Sequence, residues 1–346
     1  MSGTAQEQGF NVAVVGATGL VGETMVEVLE ERDFPVRKLF ALASERSLGK
    51  SVNFRGRRHP VGDLAQFDFS EVDIALFSPG AEISRVHAPR AAQAGCVVID
   101  NTSEFRYLDE VPLVVPEVNP QAIAQFRNRG IIANPNCSTI QMVVVLKPLH
   151  DVAGIAHINV ATYQSVSGAG REAIGELASQ SAALLSGQGP VKPGVIPAQI
   201  AFNCVPQIDR FEDNGYTREE MKLVWETRKI LGVPQLPVNA TAVRVPVFYG
   251  HSEAVHLTTQ RKLGAAAARE ILRQAPGVTV LDERRPGGYP TAAVEAANRD
   301  TVYVGRIRDD MSSERGLDLW IVADNVRKGA ATNSVQIAEI LARDYL

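Results

Sequence analysis

The segment that decides the fold is FNVAVV at residues 10–15, followed directly by GATGLVG at 16–22. The first of these runs is continuous and apolar, which is typical of a central parallel strand buried on both faces. In 20–31, LVGETMVEVLEE, apolar residues recur at helical spacing until Phe34-Pro35 ends the pattern. Strand, glycine-rich turn and helix thus follow one another in the order of a dinucleotide-binding unit.

The same alternation of strand and helix continues through the first 136 residues. Further apolar runs lie at 36–43, 72–77, 97–99 and 131–133, and a helix-like stretch lies at 82–94. Alternation of this kind predicts an α/β fold in which a Rossmann-type doubly wound parallel sheet is covered on both faces.

The pattern changes after a helix that should begin near Ser138. Strand-like runs follow at 155–164, 239–247, 252–260, 302–307 and 317–323. Several carry β-branched residues in partial alternation, which suits a sheet with one covered face. We therefore predict a second, α+β domain, with a surface loop over the Gly- and Pro-rich segment 186–198. The tail, 329–345, has the spacing of an amphipathic helix.

Composition limits the classes of function. The chain has 346 residues, a formal net charge of −4 and no long basic run, so we expect two folded units and no nucleic-acid partner. No segment approaches the roughly 18 apolar residues that span a bilayer, and MSGTAQEQG at the start is not a leader. We expect small-molecule partners, no membrane contact and a cytoplasmic location. The widely spaced Cys96, Cys137 and Cys204 favour neither disulfides nor a metal site.

Three glycines, Gly16, Gly19 and Gly22, make the turn after the first strand suitable for a pyrophosphate, which would rest against the N-terminus of the next helix. A glycine-rich turn chosen only for packing is the alternative. The second strand should end beside the adenosine ribose, where Glu45 favours NAD and its neighbours favour the 2′-phosphate of NADP. NADP is the expected cofactor. The predicted contacts in this domain are Gly16, Thr18, Gly19, Leu20, Val21, Ser44, Arg46 and Ser47.

Cys137 is the most informative single residue. In NPNCSTI at 134–140, Pro135 ends a strand, Asn136 is a good N-cap, and an apolar helical run follows. A cysteine at a helix N-terminus is stabilised as the thiolate, with a pKa lowered from about 8.5 to as little as about 3.5–7.5. We therefore predict a nucleophile, with a small buried thiol as the alternative. Cys96 and Cys204 are interpreted as such buried thiols.

Arg244 stands in the otherwise apolar strand AVRVPVF, where an unpaired guanidinium would be costly, so it should meet an anion or form an internal salt bridge. His251 follows between two predicted strands. An unperturbed imidazole with a pKa near 6.5 suits acid/base catalysis, although a structural turn histidine would look the same. The other five histidines, His59, His87, His150, His157 and His256, are interpreted as structural.

Five segments are informative in combination: GATGLVG at 16–22, NPNCSTI at 134–140, YQSVSGAG at 163–170, RVPVFYGHSEAV at 244–255 and DNVRKGAATNSVQIAE at 324–339. Together they resemble the aspartate-β-semialdehyde dehydrogenase family, from about residue 10 to the end of the chain. The resemblance implies reversible NADP-dependent conversion of 4-phospho-L-aspartate to aspartate semialdehyde and inorganic phosphate. It further implies an acyl-thioester on Cys137, a role in lysine, threonine and methionine biosynthesis, and a homodimer.

The resemblance also implies roles for individual residues. Cys137 and His251 would be catalytic, Gln164, Arg244 and Glu219 would bind substrate, and Arg106, Lys222 and Asn136 would bind phosphate. Ser167, Gly168 and Gln336 would contact the cofactor. Glu219 and Lys222 are also spaced as an i,i+3 pair on an exposed helix. Residues 1–136 plus 325–346 would form the NADP-binding domain, and 137–324 the catalytic and dimerisation domain.

Three alternatives remain. N-acetyl-γ-glutamyl-phosphate reductase has the same layout, but its cysteine motif typically has glycine before the cysteine and aromatic residues after it, unlike Asn136-Cys137-Ser138. Glyceraldehyde-3-phosphate dehydrogenase is a poorer match because a Thr-Thr-Asn type sequence follows its cysteine. A non-catalytic homologue is disfavoured because Cys137, His251, Arg244 and Gln164 are all present.

Overall fold

A computed structural model describes residues 9–189 and 192–346. Residues 1–8, where no leader is predicted, and 190–191 of the predicted loop lie outside the described residues. Contacts divide the chain into unit 1, Met1–Pro135 with Ala330–Leu346, and unit 2, Asn136–Gly329. These bounds differ from the predicted ones because Asn136 and residues 325–329 belong to unit 2. Among the described residues, no helix has both the length and the apolar character needed to cross a bilayer.

Unit 1 is built on a seven-stranded sheet. Its strands are β1 (Phe10–Val15), β2 (Val36–Ala43), β3 (Ser51–Phe54), β4 (Arg57–Asp63), β5 (Ile74–Phe77), β6 (Val97–Asp100) and β7 (Ile131–Ala133). Their order is β3-β4-β2-β1-β5-β6-β7, and every pair except β3 with β4 is parallel. The predicted Rossmann-type parallel sheet is therefore confirmed.

The antiparallel pair β3 and β4 at one edge of this sheet was not predicted. Its second strand, RRHPVGD, is charged and contains Pro60, a composition that occurs at sheet edges but lacks an apolar period. The turn between the two strands places Arg55 and Gly56 at positive φ. Turn geometry rather than hydrophobic patterning thus defines this edge.

Within the described residues, three α-helices belong to unit 1: α1 (Leu20–Glu31), α2 (Ala81–Gln93) and α7 (Thr332–Asp344). The predicted helix at the C-terminal end of the chain is α7, and its apolar residues Val335 and Leu341 share a buried cluster with Met25 and Leu29 of α1. Burying such side chains contributes about 1.5–3 kcal/mol each. This packing places the end of the chain beside the first helix of the same unit.

In the part of unit 2 that the structure describes, there are a mixed six-stranded sheet and four α-helices. The strands are β8 (Ile155–Gln164), β9 (Val238–Arg244), β10 (His251–Thr259), β11 (Val278–Val280), β12 (Val302–Asp309) and β13 (Gly316–Ala323), in the order β11-β12-β13-β10-β8-β9. The helices are α3 (Cys137–Ala153), α4 (Arg171–Leu185), α5 (Arg218–Leu231) and α6 (Ala265–Arg273). β9 ends before the predicted 247 because Pro246 has no N–H for the ladder.

One face of this sheet is buried, as the partial alternation predicted. Along β10, His251, Glu253, Val255 and Leu257 are fully or almost fully buried. The helix α3 packs against β8, β10, β12 and β13 and also contacts α5 and α6. The sheet therefore presents its buried side chains to the helix that begins at Cys137.

Candidate active site

The glycine loop of unit 1 has the backbone geometry that only glycine allows. Gly16 has φ +83°, and a Cβ there would lie 2.7 Å from the Ser78 carbonyl oxygen. A Cβ on Gly22 would collide with the Gly16 carbonyl. The N-cap of α1 is Gly19, which has no side chain to accept from the first helical N–H groups. Leu20 and Val21 begin this helix, so the loop suits a bound anion.

The loop meets the end of the second strand. Thr18 Oγ1 and Ser47 Oγ lie 3.1 Å apart, while Ser44, Glu45 and Arg46 are exposed. Glu45 begins a short 3-10 turn and lies at the surface. The polar groups predicted for the ribose phosphate therefore gather at one edge of unit 1, with the carboxylate of Glu45 accessible to water.

Arg106 and Gln336 also belong to unit 1. Arg106 is buried, its Nη2 donates to the Asn101 carbonyl at 2.7 Å, and its Nε is buried without a hydrogen-bond partner. Gln336 lies on α7, where Nε2 donates to Glu117 Oε1 at 3.2 Å. Two residues that are distant in sequence are thus placed in the nucleotide-binding unit by the fold.

In unit 2, Cys137 is the first residue of α3, as its sequence context predicts. Asn136 is the N-cap, and its Oδ1 accepts from the backbone N–H groups of Ser138 at 3.1 Å and Thr139 at 3.4 Å. The Asn136 N–H itself donates to Glu226 Oε2 at 2.6 Å. Helix capping and a buried carboxylate together fix where the thiol begins the helix.

Glu219 joins three of the predicted residues. Its Oε1 accepts from Asn136 Nδ2 at 2.9 Å and from Gln164 Nε2 at 3.0 Å, and its Oε2 accepts from Lys222 Nζ at 2.9 Å. Burial alone would raise the pKa of Glu219, but Lys222 and the two amides lower it to about 2. The pair with Lys222 is therefore buried, not on an exposed helix face, and Lys222 also bonds Asp209.

His251 is fully buried and held from one side of its ring. The backbone N–H of Ser165 donates to Nδ1 at 3.0 Å, so the proton of the neutral imidazole lies on Nε2. Nε2 is 3.5 Å from Gln164 Nε2, which is also a donor. Burial, followed by the charge of Arg244, lowers the pKa of His251 to about 3. The assumption of an unperturbed pKa is therefore wrong.

Arg244 is buried at the end of β9 and forms no ion pair with a described residue, so the salt-bridge interpretation is not supported. Its Nη1 donates to the Ser165 carbonyl at 2.7 Å. A Cβ on Gly168 would lie 3.0 Å from this Nη1 and 3.3 Å from His251 Nε2. Glycine at 168 thus leaves room beside both the guanidinium and the imidazole.

Two contributors to this site were not predicted. Asn325 Oδ1 accepts from Ser165 Oγ, Ser167 Oγ and the Gly250 N–H at 3.0–3.1 Å. A Cβ on Gly329 would lie only 2.7 Å from Cys137 Cβ. Both residues lie in the segment DNVRKGA, and its resemblance to the family was the one feature of the sequence that could have pointed to them. These contacts place residues 325–329 in unit 2.

The other cysteines differ from each other. Cys96 is buried, and burial raises the pKa of its thiol, as a structural role predicts. Cys204 is exposed, so its interpretation as a buried thiol is wrong. It lies in a loop after Asn203, whose side chain accepts its backbone N–H. Within the described part of the chain, no group of three His, Cys, Asp or Glu residues is placed to hold a metal ion.

The lowered pKa values predict acid sensitivity. Between pH 6.5 and about 3 the unfolded chain protonates at His251 while the folded chain does not, and Glu219 adds the same effect between pH 4.5 and about 2. The free energy of unfolding is therefore at its full value above the pKa values that these two groups have in the unfolded chain. It decreases as pH falls below them, by about 1.4 kcal/mol per pH unit for each proton. Calorimetric melting temperatures of the wild type and His251→Asn should converge as pH falls from 7 to 4.

His157→Asn is the control, since His157 lies on β8 outside the network, and its melting curve should keep the wild-type pH dependence. An equal slope in His251→Asn and the wild type would contradict a buried neutral imidazole.

Family comparisons agree with this architecture. Residues 11–126 match the family model described as semialdehyde dehydrogenase, NAD binding domain, and residues 146–328 match semialdehyde dehydrogenase, dimerisation domain. The two matched domains, with the parallel sheet of unit 1 and the mixed sheet of unit 2, define the class as a two-domain semialdehyde dehydrogenase.

Individual relatives narrow this class. The aspartate-semialdehyde dehydrogenase of Legionella pneumophila is 62% identical over 97% of each chain. The crystal structure of aspartate semialdehyde dehydrogenase II from Vibrio cholerae complexed with ASA has a TM-score of 0.96, with 59% identity over 98% of this chain and 100% of that one. An NADP-containing structure from Candida albicans has a TM-score of 0.74, with 27% identity over 96% and 98%. The chain belongs to the aspartate-semialdehyde dehydrogenase family.

Proposed function

We propose that the protein catalyses the reversible NADP-dependent reductive dephosphorylation of 4-phospho-L-aspartate to aspartate 4-semialdehyde, with biosynthetic flux toward the semialdehyde. The observation that carries this proposal is a thiol at a helix start in the same unit as a buried guanidinium, Arg244, which feels the charge of Glu219 but forms no direct ion pair with a described carboxylate. Thioester chemistry needs the thiol, and an aspartyl substrate supplies the missing anion.

Cys137 is the nucleophile. The N-terminus of α3 and the positive charge of Arg244 both favour its thiolate. Burial lowers the pKa of Arg244, and the charges of Glu219 and then of Cys137 raise it. In the oxidative direction the sulfur attacks the aldehyde carbon, a C–S bond forms, and the resulting alkoxide loses hydride to give the thioester. Phosphate then attacks the thioester carbon and releases the thiolate.

His251 exchanges the proton of the hemithioacetal oxygen. The Ser165 N–H occupies Nδ1, so Nε2 is the nitrogen that acts on the substrate. With its pKa near 3 the imidazole enters the reaction neutral and donates its Nε2–H to the developing alkoxide. Passing this proton to the oxygen leaves an imidazolate, whose Nε2 takes the proton back when the carbonyl forms again.

The remaining assignments concern substrate and phosphate binding. Arg244 holds the α-carboxylate, and Glu219 with Gln164 orients the substrate amino group and carbonyl. Lys222, Asn136 and Arg106 supply phosphate contacts. Glu219 is ionised and held by three donors, which suits a substrate ammonium. Lys222 already pairs with two carboxylates, so phosphate would have to compete with Asp209 for it.

NADP fits the residues of unit 1. Gly16, Thr18, Gly19, Leu20 and Val21 would hold the pyrophosphate, and Ser44, Arg46 and Ser47 would hold the 2′-phosphate. Glu45 is exposed and so free to turn toward water. Ser167, Gly168 and Gln336 remain proposed contacts. When bound, the cofactor supplies the hydride acceptor.

We also propose a homodimer and a cytoplasmic location. Residues 146–328 match a dimerisation domain, and the sheet face opposite α3 carries Tyr163, 38% exposed, against Trp320 at 5.5 Å between ring centroids. A partly exposed aromatic pair on a sheet is suited to an interface. A reactive thiol nucleophile suits the reducing cytoplasm.

The test is a spectrophotometric assay of the purified full-length chain with aspartate 4-semialdehyde, phosphate and NADP. We expect sustained NADPH formation that requires phosphate and is slower with NAD. N-acetylglutamate 5-semialdehyde, one methylene longer, should give a kcat/KM at least about 10-fold lower. Turnover without phosphate, or equal turnover of the two aldehydes, would contradict the proposal.

A further inference from the structure

Across the unit 2 sheet, next to the strand ends that carry the active-site side chains, lies a second row of side chains: Ala242, Thr162, Glu253 and Ile321. Thr162 is the register partner of both Ala242 on β9 and Glu253 on β10, and Glu253 is also the partner of Ile321 on β13. Thr162 Oγ1 donates to Gln164 Oε1 at 3.0 Å. This row therefore supports the active-site row and contains one ionisable residue.

Glu253 is in an unusual state for a carboxyl group. It is 0% exposed, and neither of its oxygens accepts a hydrogen bond from a described residue. Its row neighbours Ala242, Thr162 and Ile321 bring no positive charge. Burial raises the pKa of Glu253 well above its usual range. The Gln141 side chain is near enough to offset this in part, but its contact with the carboxyl group falls short of hydrogen-bond geometry. An ionised carboxylate at such a position is costly.

Gln141 on α3 also has a buried oxygen without a hydrogen-bond partner. It lies one helical turn after Cys137 on α3, and its Nε2 donates to the His251 carbonyl at 3.5 Å. A carbonyl oxygen can only accept, so this contact fixes the amide with Oε1 pointing away from His251. That Oε1 is buried and has no hydrogen-bond partner. Two buried acceptor groups, Glu253 and Gln141, thus lack a donor.

We propose that Glu253 is a positioning residue that works as a neutral carboxylic acid, donating its proton to Gln141 Oε1 and so holding the Gln141 amide against the His251 backbone. One proton satisfies both groups, because a protonated carboxyl gains an O–H donor. The Glu253 and Gln141 pair links the helix that begins at Cys137 to the strand that begins at His251. The inference rests on the proposed function, in which Cys137 and His251 act on one substrate.

The first test compares two substitutions of the full-length enzyme. Glu253→Leu removes the donor and replaces it with an apolar side chain of similar volume, and kcat should fall about 10²-fold because the His251 backbone is no longer held by Gln141. The KM for the semialdehyde should change little, and iodoacetamide should still alkylate Cys137 at the wild-type rate. Glu253→Gln is neutral and keeps an N–H donor, so it should restore most of the lost kcat.

The second test detects the protonated carboxyl group of Glu253 by infrared spectroscopy. Infrared difference spectra of the wild type minus Glu253→Gln at pH 8 should contain the C=O stretch of a protonated carboxylic acid. Absence of this band, or a Glu253→Gln enzyme as slow as Glu253→Leu, would overturn the inference. If Glu253→Leu does not fold, the band and Glu253→Gln still decide. A wild type that shows the band but does not oxidise the semialdehyde would refute the proposed function and leave the neutral acid standing.

Discussion

Replacing Cys137 with serine is expected to lower kcat for phosphate-dependent semialdehyde oxidation by about 10⁴-fold or more. Serine keeps the size and the helix start, but its hydroxyl does not ionise near neutral pH, so neither the N-terminus of α3 nor Arg244 can produce a nucleophile from it. Because the glycine loop lies in unit 1, NADP affinity should survive. Steady-state assay and NADP titration of the same preparation measure both quantities.

Cys204→Ser is the matched control, since this exposed cysteine lies in a loop of unit 2 outside the network. It should keep wild-type turnover. Mass spectrometry of wild type incubated with semialdehyde and NADP without phosphate should find an acyl adduct on the peptide that contains Cys137. Turnover retained in Cys137→Ser, or an adduct on Cys204 instead, would reject the nucleophile assignment.

His251→Asn is expected to lower kcat by about 10²- to 10⁴-fold. The shorter amide cannot reach the position of Nε2, so the hemithioacetal oxygen loses the group that exchanges its proton. The pH dependence of kcat/KM in the wild type should not show an acid limb near pH 6.5 from His251, because burial and Arg244 lower its pKa to about 3. Initial rates between pH 5.5 and 9 measure both effects.

His256→Asn is the control on the same strand. His256 is half-buried, and its Nδ1 lies 3.2 Å from Asp318 Oδ1 on β13, so its loss should leave the rate and pH profile unchanged. Iodoacetamide should alkylate Cys137 in both variants. A His251→Asn enzyme with more than about a tenth of wild-type kcat would be inconsistent with acid/base catalysis at this residue.

Local order in the sequence was enough to predict most strands of both units, although not β3, β4 or β11. FNVAVV and GATGLVG predicted β1, the glycine turn and α1, because strand, turn and helix follow one another without long-range contacts. NPNCSTI likewise predicted Cys137 at the start of α3, since Pro135, Asn136 and the apolar run act through neighbouring residues. The charged strand β4, next to the edge strand β3, escaped prediction because its position depends on pairing with its neighbours rather than on an apolar period.

Charge states in the active site could not be predicted in the same way. His251 was expected to have an ordinary pKa, yet its environment consists of Ser165, Gln164 and Arg244 from other strands and loops. The assumed exposed face carrying Glu219 and Lys222 is buried against Asn136 and Gln164 instead. Burial and neighbouring charge set these pKa values, and both arise only when the sheet and helices have packed.

The sequence alone determined the α/β class, the glycine turn, the helix start at Cys137 and, through five segments, the family. These properties depend on residues that are close in the chain or on motif resemblance. Only the tertiary structure decided that Asn325 binds Ser165 and Ser167, that Gly329 lies against Cys137, and that Glu253 is buried beneath His251. Such facts depend on strand register and helix packing, which bring together side chains that no local pattern relates.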